Sequence, residues 1–597
     1  MNAQEAIDYI ENCGWSTTRL GLARTRELLH QIGDPQKRLK FIHVAGSNGK
    51  GSTCAMLDSI LRAAGYRTGL YTSPYIQAFG ERIRVNGENI TDAALARITE
   101  QVKGIADAMA DHPSQFELVT AIAMQYFYEM QCDIVVLEVG MGGALDSTNV
   151  IDCPEVAVIT NIGLEHTEYL GTTLPEIAEA KGGIIKPGCS VVCYESKPEV
   201  TETISRICRE QGAALTISSE NDAIGMSASL DGQSFTWKGS AYSFPLLGAH
   251  QLRNAAVALE TIAQLRNRGW HIPETAVCEG LKTTAWPARF EVLSRAPLFI
   301  LDGGHNPQCA EAMARNLRDY LPCQKVTFLM GVLADKDFDD MLRLLTPFAE
   351  SFLCVTPESP RALPAAALRD RLIEKGFHAQ AFDSIREGIQ AALKASTPVV
   401  AFGSLYLAGY VRTLFPTCIK KHQRTLALQA RDAIPASVRK EKSAAICRKI
   451  RESAAYQNAR TVMLFKAFRS EVDLSELEQF AVKDGKRTVY PYCVEAYQML
   501  ALCPKDDDAL ELDRYGIRVP IPERSKFVRP EQIDLVICPC SAFDEEGHRL
   551  GMGAGYYDRF LPRCKNAVIA LAAFSEQRME HVFTGAFDVP VEDVFAG

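Results

Sequence analysis

The chain has 597 residues, 47% hydrophobic and 23% charged, the balance of a soluble globular protein of about three or four domains. Its 64 basic and 73 acidic residues leave a formal charge of −9, which argues against broad nucleic-acid binding, and no apolar run approaches the roughly 18 residues of a membrane span. The polar start, residues 1–8, is no signal peptide. The 18 cysteines are scattered without a Cys-x-x-Cys pair and read as reduced core residues of a cytoplasmic protein, not as zinc ligands.

Residues 1–40 are expected to form two helices with Leu20, Leu22, Leu28 and Leu29 on the apolar face, ended by Gly33-Asp34-Pro35. Phe41-Ile42-His43-Val44-Ala45 reads as a buried strand, and Cys54-Ala55-Met56-Leu57 begins a helical pattern. Between them stands Gly46-Ser47-Asn48-Gly49-Lys50-Gly51-Ser52-Thr53. Strand, glycine turn, lysine, hydroxyl and helix come in the order of a phosphate-binding loop. The glycines let backbone N–H groups aim at an anion, and the helix N-terminus adds a partial positive charge. Lys50 can reach phosphate oxygens, and Ser52 or Thr53 can face Mg²⁺. The spacing is unusual, with two residues between Gly46 and Gly49 and with Gly51 after the lysine. A structural turn with an incidental lysine is the alternative.

A short strand over 69–72 follows, then Ser73-Pro74-Tyr75 and a hairpin-like stretch over 81–87. A helix over 116–130 carries Phe116 and Glu117. The strand over 134–139 brings Glu138 up to Gly140-Met141-Gly142-Gly143, and a carboxylate at a strand end facing a glycine loop is where α/β folds place ligand chemistry. A strand over 156–160 runs into Asn161-Ile162-Gly163-Leu164-Glu165-His166. Taken alone, His166 and Lys181 read as ordinary structural or solvated residues.

Together these segments resemble folylpolyglutamate synthase/dihydrofolate synthase, of the Mur ligase superfamily, over residues 1 to about 417. The resemblance is carried by the loop at 43–52, Ser73-Pro74, Glu81-Arg82-Ile83 and Leu137-Glu138-Val139-Gly140. It continues through Leu145-Asp146-Ser147-Thr148-Asn149, Asn161 to His166 and Lys181-Gly182-Gly183-Ile184. It implies that Asn48, Gly49, Lys50, Gly51 and Ser52 hold ATP phosphates, that Ser73, Glu138 and His166 ligate Mg²⁺, and that Lys181 is carbamylated. Lys50, Lys181 and His166 are its implied catalytic groups. Phe116 and Glu117 match a helix lining the pterin side of the family's site. The chain departs from the family at Ala144, where arginine is usual, and this bears on substrate preference.

Leu247-Gly248-Ala249-His250-Gln251-Leu252-Arg253-Asn254 opens a helix, and the resemblance makes Asn254 the adenine contact. Trp286-Pro287-Ala288-Arg289-Phe290 opens a second lobe, in which a strand over 299–301 ends at Asp302-Gly303-Gly304-His305. Arg289 and Asp302 are implied ATP contacts, with His305 beside them. Strands over 326–330 (leading to Asp335-Lys336-Asp337), 352–356 and 399–402 continue the alternation, which predicts a mainly parallel sheet with the site between the two lobes.

Around Pro416 the character changes. Lys420, Lys421, Arg424, Arg431, Arg439, Lys440 and Arg448 on charge alone read as a solvated helix face. Further on, a strand over 535–539 precedes Phe543-Asp544-Glu545-Glu546-Gly547-His548-Arg549-Leu550-Gly551-Met552-Gly553-Ala554-Gly555-Tyr556-Tyr557-Asp558. Three alternate glycines between an arginine and an aspartate can build an anion loop with a metal carboxylate.

The whole string resembles 5-formyltetrahydrofolate cyclo-ligase over about 418–597. This implies ATP contacts at Lys420, Arg424, Arg549, Gly551, Gly553, Gly555 and Tyr557, and substrate contacts at Glu471, Met552 and Tyr556. Asp558 is an implied Mg²⁺ ligand and Asp588 a second one. Ala554 and Val519-Pro520 depart from the usual pattern. The expectation is therefore an α/β chain with a Mur ligase P-loop domain (1–284), a Mur ligase C-terminal domain (285–417) and an α/β cyclo-ligase domain (418–597). It would be a cytoplasmic monomer using ATP and Mg²⁺, with reduced folates, L-glutamate and 5-formyltetrahydrofolate as substrates. A peptidoglycan-precursor ligase leaves Glu81-Arg82-Ile83 and the last third unexplained. A folate-binding protein without turnover is the non-enzymatic alternative.

Overall fold

The computed structural model describes residues 1–13, 20–219, 221–334, 338–494 and 498–597. The Asp335-Lys336-Asp337 motif lies outside the described residues. The chain divides into two compact units, one of Met1–Val292, Ile300–Asp383 and Val400–Tyr410, the other of Leu293–Phe299, Ser384–Val399 and Val411–Gly597.

The first unit opens with helices α1 (Ala3–Asn12) and α2 (Ala23–Gln31). Leu28 and Leu29 are fully buried, but Leu20, expected on the same face, is exposed because it precedes the helix. The main sheet has eight strands: β1 (Phe41–Ala45), β2 (Thr68–Tyr71), β3 (Ile83–Val85), β4 (Glu88–Asn89), β5 (Ile134–Glu138), β6 (Val156–Ile159), β7 (Ser190–Tyr194) and β8 (Ala214–Ser218). Their order is β4-β3-β2-β5-β1-β6-β7-β8. The six from β2 to β8 in that order run parallel, while β3 and β4 form the expected antiparallel hairpin at one edge.

Continuous apolar runs such as Phe41–Ala45 and Ile134–Glu138 suit strands covered on both faces. One face packs Ile42, Val44 and Val136 against Met56, Leu57 and Ile60 of α3 (Lys50–Ala63) and Val257 and Leu259 of a later helix (Ala249–Asn267). The other packs Phe41, Val135 and Leu137 against Ile98 of α4 (Asp92–Ala106) and Leu118 and Ile122 of α5 (Gln115–Glu129). Val44 pairs with Glu138 and Ala45 with Ile159, so the C-terminal ends of β1, β5 and β6 lie level, and the loops leaving them share one edge.

Residues 223–244, for which the sequence reading offers no element, form an antiparallel meander in the order β11-β10-β9: β9 (Ala223–Ser229), β10 (Gly232–Trp237) and β11 (Ser240–Phe244). The signal was present as period-two alternation, since Phe235, Trp237, Tyr242 and Phe244 are its buried residues. A six-stranded sheet follows in the order β12-β13-β17-β14-β15-β16, from β12 (Glu291–Arg295), β13 (Leu298–Leu301), β14 (Val326–Met330), β15 (Ala349–Cys354), β16 (Ala379–Ala381) and β17 (Val399–Phe402). Its β14, β15 and β16 are parallel.

In the second unit a seven-stranded sheet is centred on Thr461–Met463 and Leu535–Cys538, which are parallel to each other. Pro416 lies inside a continuous helix, Leu405–Asp432. The basic run on that helix is not wholly solvated: Arg431 is 3% exposed. All 18 cysteines are unpaired, and among the described residues no helix is long and apolar enough to cross a membrane.

Candidate active sites

The loop after β1 is built by its neighbours. Gly46 has φ +153°, and a Cβ there would lie 1.8 Å from Thr160 Oγ1. Gly49, at φ +89°, caps α3, and its Cβ would lie 2.4 Å from Asn254 Oδ1. A Cβ on Gly51 would meet the Trp286 ring at 2.7 Å. The glycines are thus required by close approach as well as by backbone angle. Thr160 Oγ1 lies 3.2 Å from Ala45 O and 3.0 Å from Asn48 O, and Ser47 Oγ donates to Gly163 O at 2.9 Å. The strand end at 160–163 therefore moulds the loop.

Lys50 Nζ curls back to donate to Gly46 O (2.8 Å) and Ser47 O (3.3 Å). Ser52 Oγ lies 3.3 Å from Gln251 Nε2, whose Oε1 accepts from Asn254 Nδ2 at 3.0 Å. Asn254 therefore rests on the phosphate loop itself. Asn48 Nδ2 donates to Gln308 Oε1 at 2.6 Å and its Oδ1 accepts from Asn306 at 3.2 Å, so the two lobes meet at this loop. Nearby, Asp302 accepts from Phe290 N–H and Gly304 N–H (2.8 and 2.7 Å), and Arg289 donates to Ala288 O (2.8 Å) between two non-glycine residues of positive φ, Ala288 and Phe290. Burial raises the Asp302 carboxyl, with Arg289 opposing. His305 Nδ1 lies 3.1 Å from Gly303 O.

Charged groups crowd the same edge. Glu138 is buried at the end of β5 and accepts from Ser73 N–H at 3.1 Å; burial pushes its carboxyl up, against the nearby Lys50. Lys181 is 2% exposed, and its Nζ donates to Gly46 O (2.9 Å) and Glu165 Oε1 (2.7 Å). Burial, with Lys50 adding repulsion, holds its ammonium down to about 8. Glu165 is held low, because Lys50 and Lys181 together outweigh its burial. In the sequence Glu165 stands out only as one residue of the Asn161 to His166 motif. Its role as the partner of Lys181 follows from where α7 (here Leu174–Gly182, after a short α6 at Thr167–Leu170) packs. His166 is exposed, with φ +47°, at the start of α6.

Phe116 lies against Gly140, whose Cβ would come within 2.5 Å of the ring. Glu117 is committed to structure. Its carboxylate takes Arg24 Nε (3.0 Å) and caps α5 by accepting from Ser114 N–H (2.7 Å). Ala144 sits against Gly183, its Cβ 2.3 Å from where a Cβ on Gly183 would stand. A further buried relay was missed: His43 Nε2 to Thr148 Oγ1 (2.9 Å), and Thr148 Oγ1 to Asp146 Oδ1 (2.5 Å).

In the second unit, Gly555 (φ +68°) starts the turn Tyr556–Phe560, and Gly553 has φ +114°. Arg424 Nε donates to Gly551 O at 2.8 Å, gripping the loop. Arg549 is 4% exposed, donates to Asp558 Oδ1 at 2.8 Å and lies over the Tyr557 ring at 5.6 Å. Lys420 pairs with Asp588, which also accepts from Gly585 N–H at 2.6 Å. Glu471 accepts from Phe468 N–H at 2.9 Å, and burial raises its carboxyl. Met552 is exposed, and Tyr556 is half-buried at the loop's exit.

Asp544, His548 and His581 also converge. The Asp544 carboxylate already meets Glu546 N–H, His548 N–H, Val582 N–H and His548 Nδ1 at 2.9–3.0 Å, which fills its acceptor positions in holding a turn.

A glycine loop ringed by Lys50, Glu138, Lys181 and Glu165 at the C-terminal edge of a parallel sheet is a site for handling phosphoryl groups. Three families match the chain: the Mur ligase middle domain at 44–262, the Mur ligase glutamate ligase domain at 288–405 and the 5-formyltetrahydrofolate cyclo-ligase family at 417–597. Folylpolyglutamate synthase of Lacticaseibacillus casei is 36% identical over 69% of this chain and 98% of its own length. Dihydrofolate synthase/folylpolyglutamate synthase of Escherichia coli is 33% identical over 68% and 93%. Among solved structures, folylpolyglutamate synthase of Thermotoga maritima aligns with TM-score 0.62 and 33% identity over 70% of this chain and 97% of that one. The E. coli enzyme in complex with DHPP and ADP aligns at 0.61 and 31% over 70% and 98%. The chain belongs to the folylpolyglutamate synthase/dihydrofolate synthase family of Mur ligases and carries a 5-formyltetrahydrofolate cyclo-ligase domain behind it. It is a ligase enzyme of folate metabolism.

Proposed function

We propose that the first unit joins L-glutamate to reduced folates at the expense of ATP, with dihydropteroate as the alternative acceptor. The third domain (418–597, after 1–284 and 285–417) would close 5-formyltetrahydrofolate to 5,10-methenyltetrahydrofolate. The observation that carries the first reading is the loop at 46–52 with Lys50 folded over it and Lys181 bonded to its Gly46 carbonyl. Asn48, Gly49, Lys50, Gly51 and Ser52 hold the phosphates in this reading. Asn254, Arg289 and Asp302 bind the rest of ATP, and Phe116 flanks the pterin.

A substrate carboxylate attacks the γ-phosphorus, giving an acyl phosphate and ADP. The glutamate amine then adds to the acyl carbon, loses its proton and expels phosphate. Two anions must meet, so Lys50 neutralises charge while the loop fixes geometry. In this reading Glu138, Ser73 and His166 would hold Mg²⁺: Glu138 is a buried carboxylate that accepts from the Ser73 N–H at 3.1 Å, and oxygen donors suit a hard cation. When bound, Mg²⁺ would neutralise phosphate oxygens. Lys181, with its ammonium held down to about 8, gives up its proton more readily than an ordinary lysine, which favours the neutral amine that carbamylation by CO₂ needs. Carbon dioxide–depleted buffer should therefore lower glutamate incorporation, and Lys181→Met should remove that dependence.

In the second reaction ATP phosphorylates the N5-formyl oxygen. N10 attacks the activated carbon and gives up its proton, and phosphate leaves. Arg549, Arg424 and Lys420 are the cations for the phosphates, with the loop Gly551, Gly553, Gly555 and Tyr557. Glu471, Met552 and Tyr556 face the folate, and Asp558 with Asp588 would hold Mg²⁺. Unpaired cysteines suit a cytoplasmic protein, and a monomer remains the expectation. The test is ADP release by the purified full chain, with tetrahydrofolate plus glutamate and, separately, with 5-formyltetrahydrofolate. No release with either would refute both readings.

A further inference from the structure

Buried donors without partners collect around Glu471. Arg431 is 3% exposed. Its Nε donates to Ser470 Oγ at 3.0 Å, and Ser470 Oγ is bonded in turn to Asp432, so the guanidinium is fixed from one side. On the other side Nη1 is buried, has no hydrogen-bond partner among the described residues, and lies 3.9 Å from Glu471 Oε1. Arg549 Nε and the Tyr557 hydroxyl are likewise buried and unpartnered. Arg549 lies over the Tyr557 ring at 5.6 Å, and the charges of Arg549 and Glu471 both act on the buried Tyr557 hydroxyl. Leaving a buried donor unmade costs about 1–3 kcal/mol, more when it is charged, so such a cluster is poised for a ligand.

Glu471 is acceptor-only when ionised, and Arg431 is donor-only. At 3.9 Å they do not hydrogen-bond each other, yet they stand side by side as an acceptor and a donor. A 2-amino-4-oxopterin presents the complement along one edge: N3–H and the 2-amino group donate, and O4 accepts. We infer that Arg431 is a specificity-determining residue that donates to O4 of the pterin while Glu471 accepts from N3–H and the 2-amino group. This rests on the cyclo-ligase reading above. A 2,4-diaminopterin reverses the pattern at two positions, setting a donor against Arg431 and a bare N3 against Glu471. Sites built to pair with polar groups reject such analogues strongly.

The test uses the full chain and 5-formyltetrahydrofolate-dependent ADP release, with 5-formyltetrahydrofolate and its 4-amino-4-deoxy analogue as competing ligands. The wild-type protein should prefer the 4-oxo compound by roughly a hundredfold. Arg431→Met should cut that preference about tenfold or more and raise KM for 5-formyltetrahydrofolate, while KM for ATP stays within about twofold. If Arg431→Met does not fold, as circular dichroism and thermal melting of the same sample would reveal, Arg431→Lys decides. It keeps the charge but loses the planar fork, and it should still weaken discrimination. Normal turnover with unchanged discrimination, or a loss falling on ATP alone, overturns the inference and leaves the cyclo-ligase reading standing. A wild-type protein that neither binds nor turns over 5-formyltetrahydrofolate overturns both.

Discussion

Lys50 and His43 show how differently two side chains from one stretch are used. Among the described residues Lys50 bonds to carbonyls of its own loop, an arrangement a phosphate can take over. Lys50→Ala should lower glutamate-dependent ADP release by roughly a hundredfold or more, as a lost charge-stabilising donor does. His43 is a buried group that the mechanism does not use, and burial pushes its imidazolium down to about 3 from an ordinary value of 6.5. The unfolded chain thus takes up this proton well before the native protein does. Stability is lost as pH falls from about 6.5 towards about 3, at up to about 1.4 kcal/mol per pH unit. Acid unfolding of His43→Gln, followed by circular dichroism, should be shallower across that window; an unchanged profile would count against this account.

The phosphate loop depends on the element beside it. Thr160, at the end of β6, touches both ends of the turn through one hydroxyl, and Gly46 leaves the space for it. Gly46→Ala must push Thr160 off those carbonyls and strain a positive φ. It should cost about 2 kcal/mol or more, seen as a lower Tm and a raised KM for ATP. Thr160→Val removes the hydroxyl but keeps the shape, so its smaller cost of about 1 kcal/mol should come with an intact fold. Neither dependence follows from the loop's own residues, because Thr160 lies more than a hundred positions along the chain.

For the molecule as a whole, the two sites are built from separate residues and should fail separately. Lys50→Ala should leave 5-formyltetrahydrofolate-dependent ADP release within about twofold, and Asp558→Ala should weaken that release while sparing glutamate ligation. Loss of both activities in either variant would contradict separate sites. The likeness to solved folylpolyglutamate synthases covers about 70% of the chain, and the cyclo-ligase family takes up the rest from residue 417.

Residue type and order alone determined the strands 41–45, 134–138 and 399–402, because unbroken apolar runs between glycine turns have few other uses. They also determined both glycine loops, whose motifs are local. The meander at 223–244 escaped because its alternation is diluted by serine and glycine. Burial and pairing were decided by tertiary structure: Glu165 against Lys181, Glu117 turned to Arg24 and a helix cap, and Arg431 drawn out of an apparently solvated basic face. The reason is physical. A charge is written in the sequence, but whether it is solvated, paired or left waiting depends on what distant segments bring beside it.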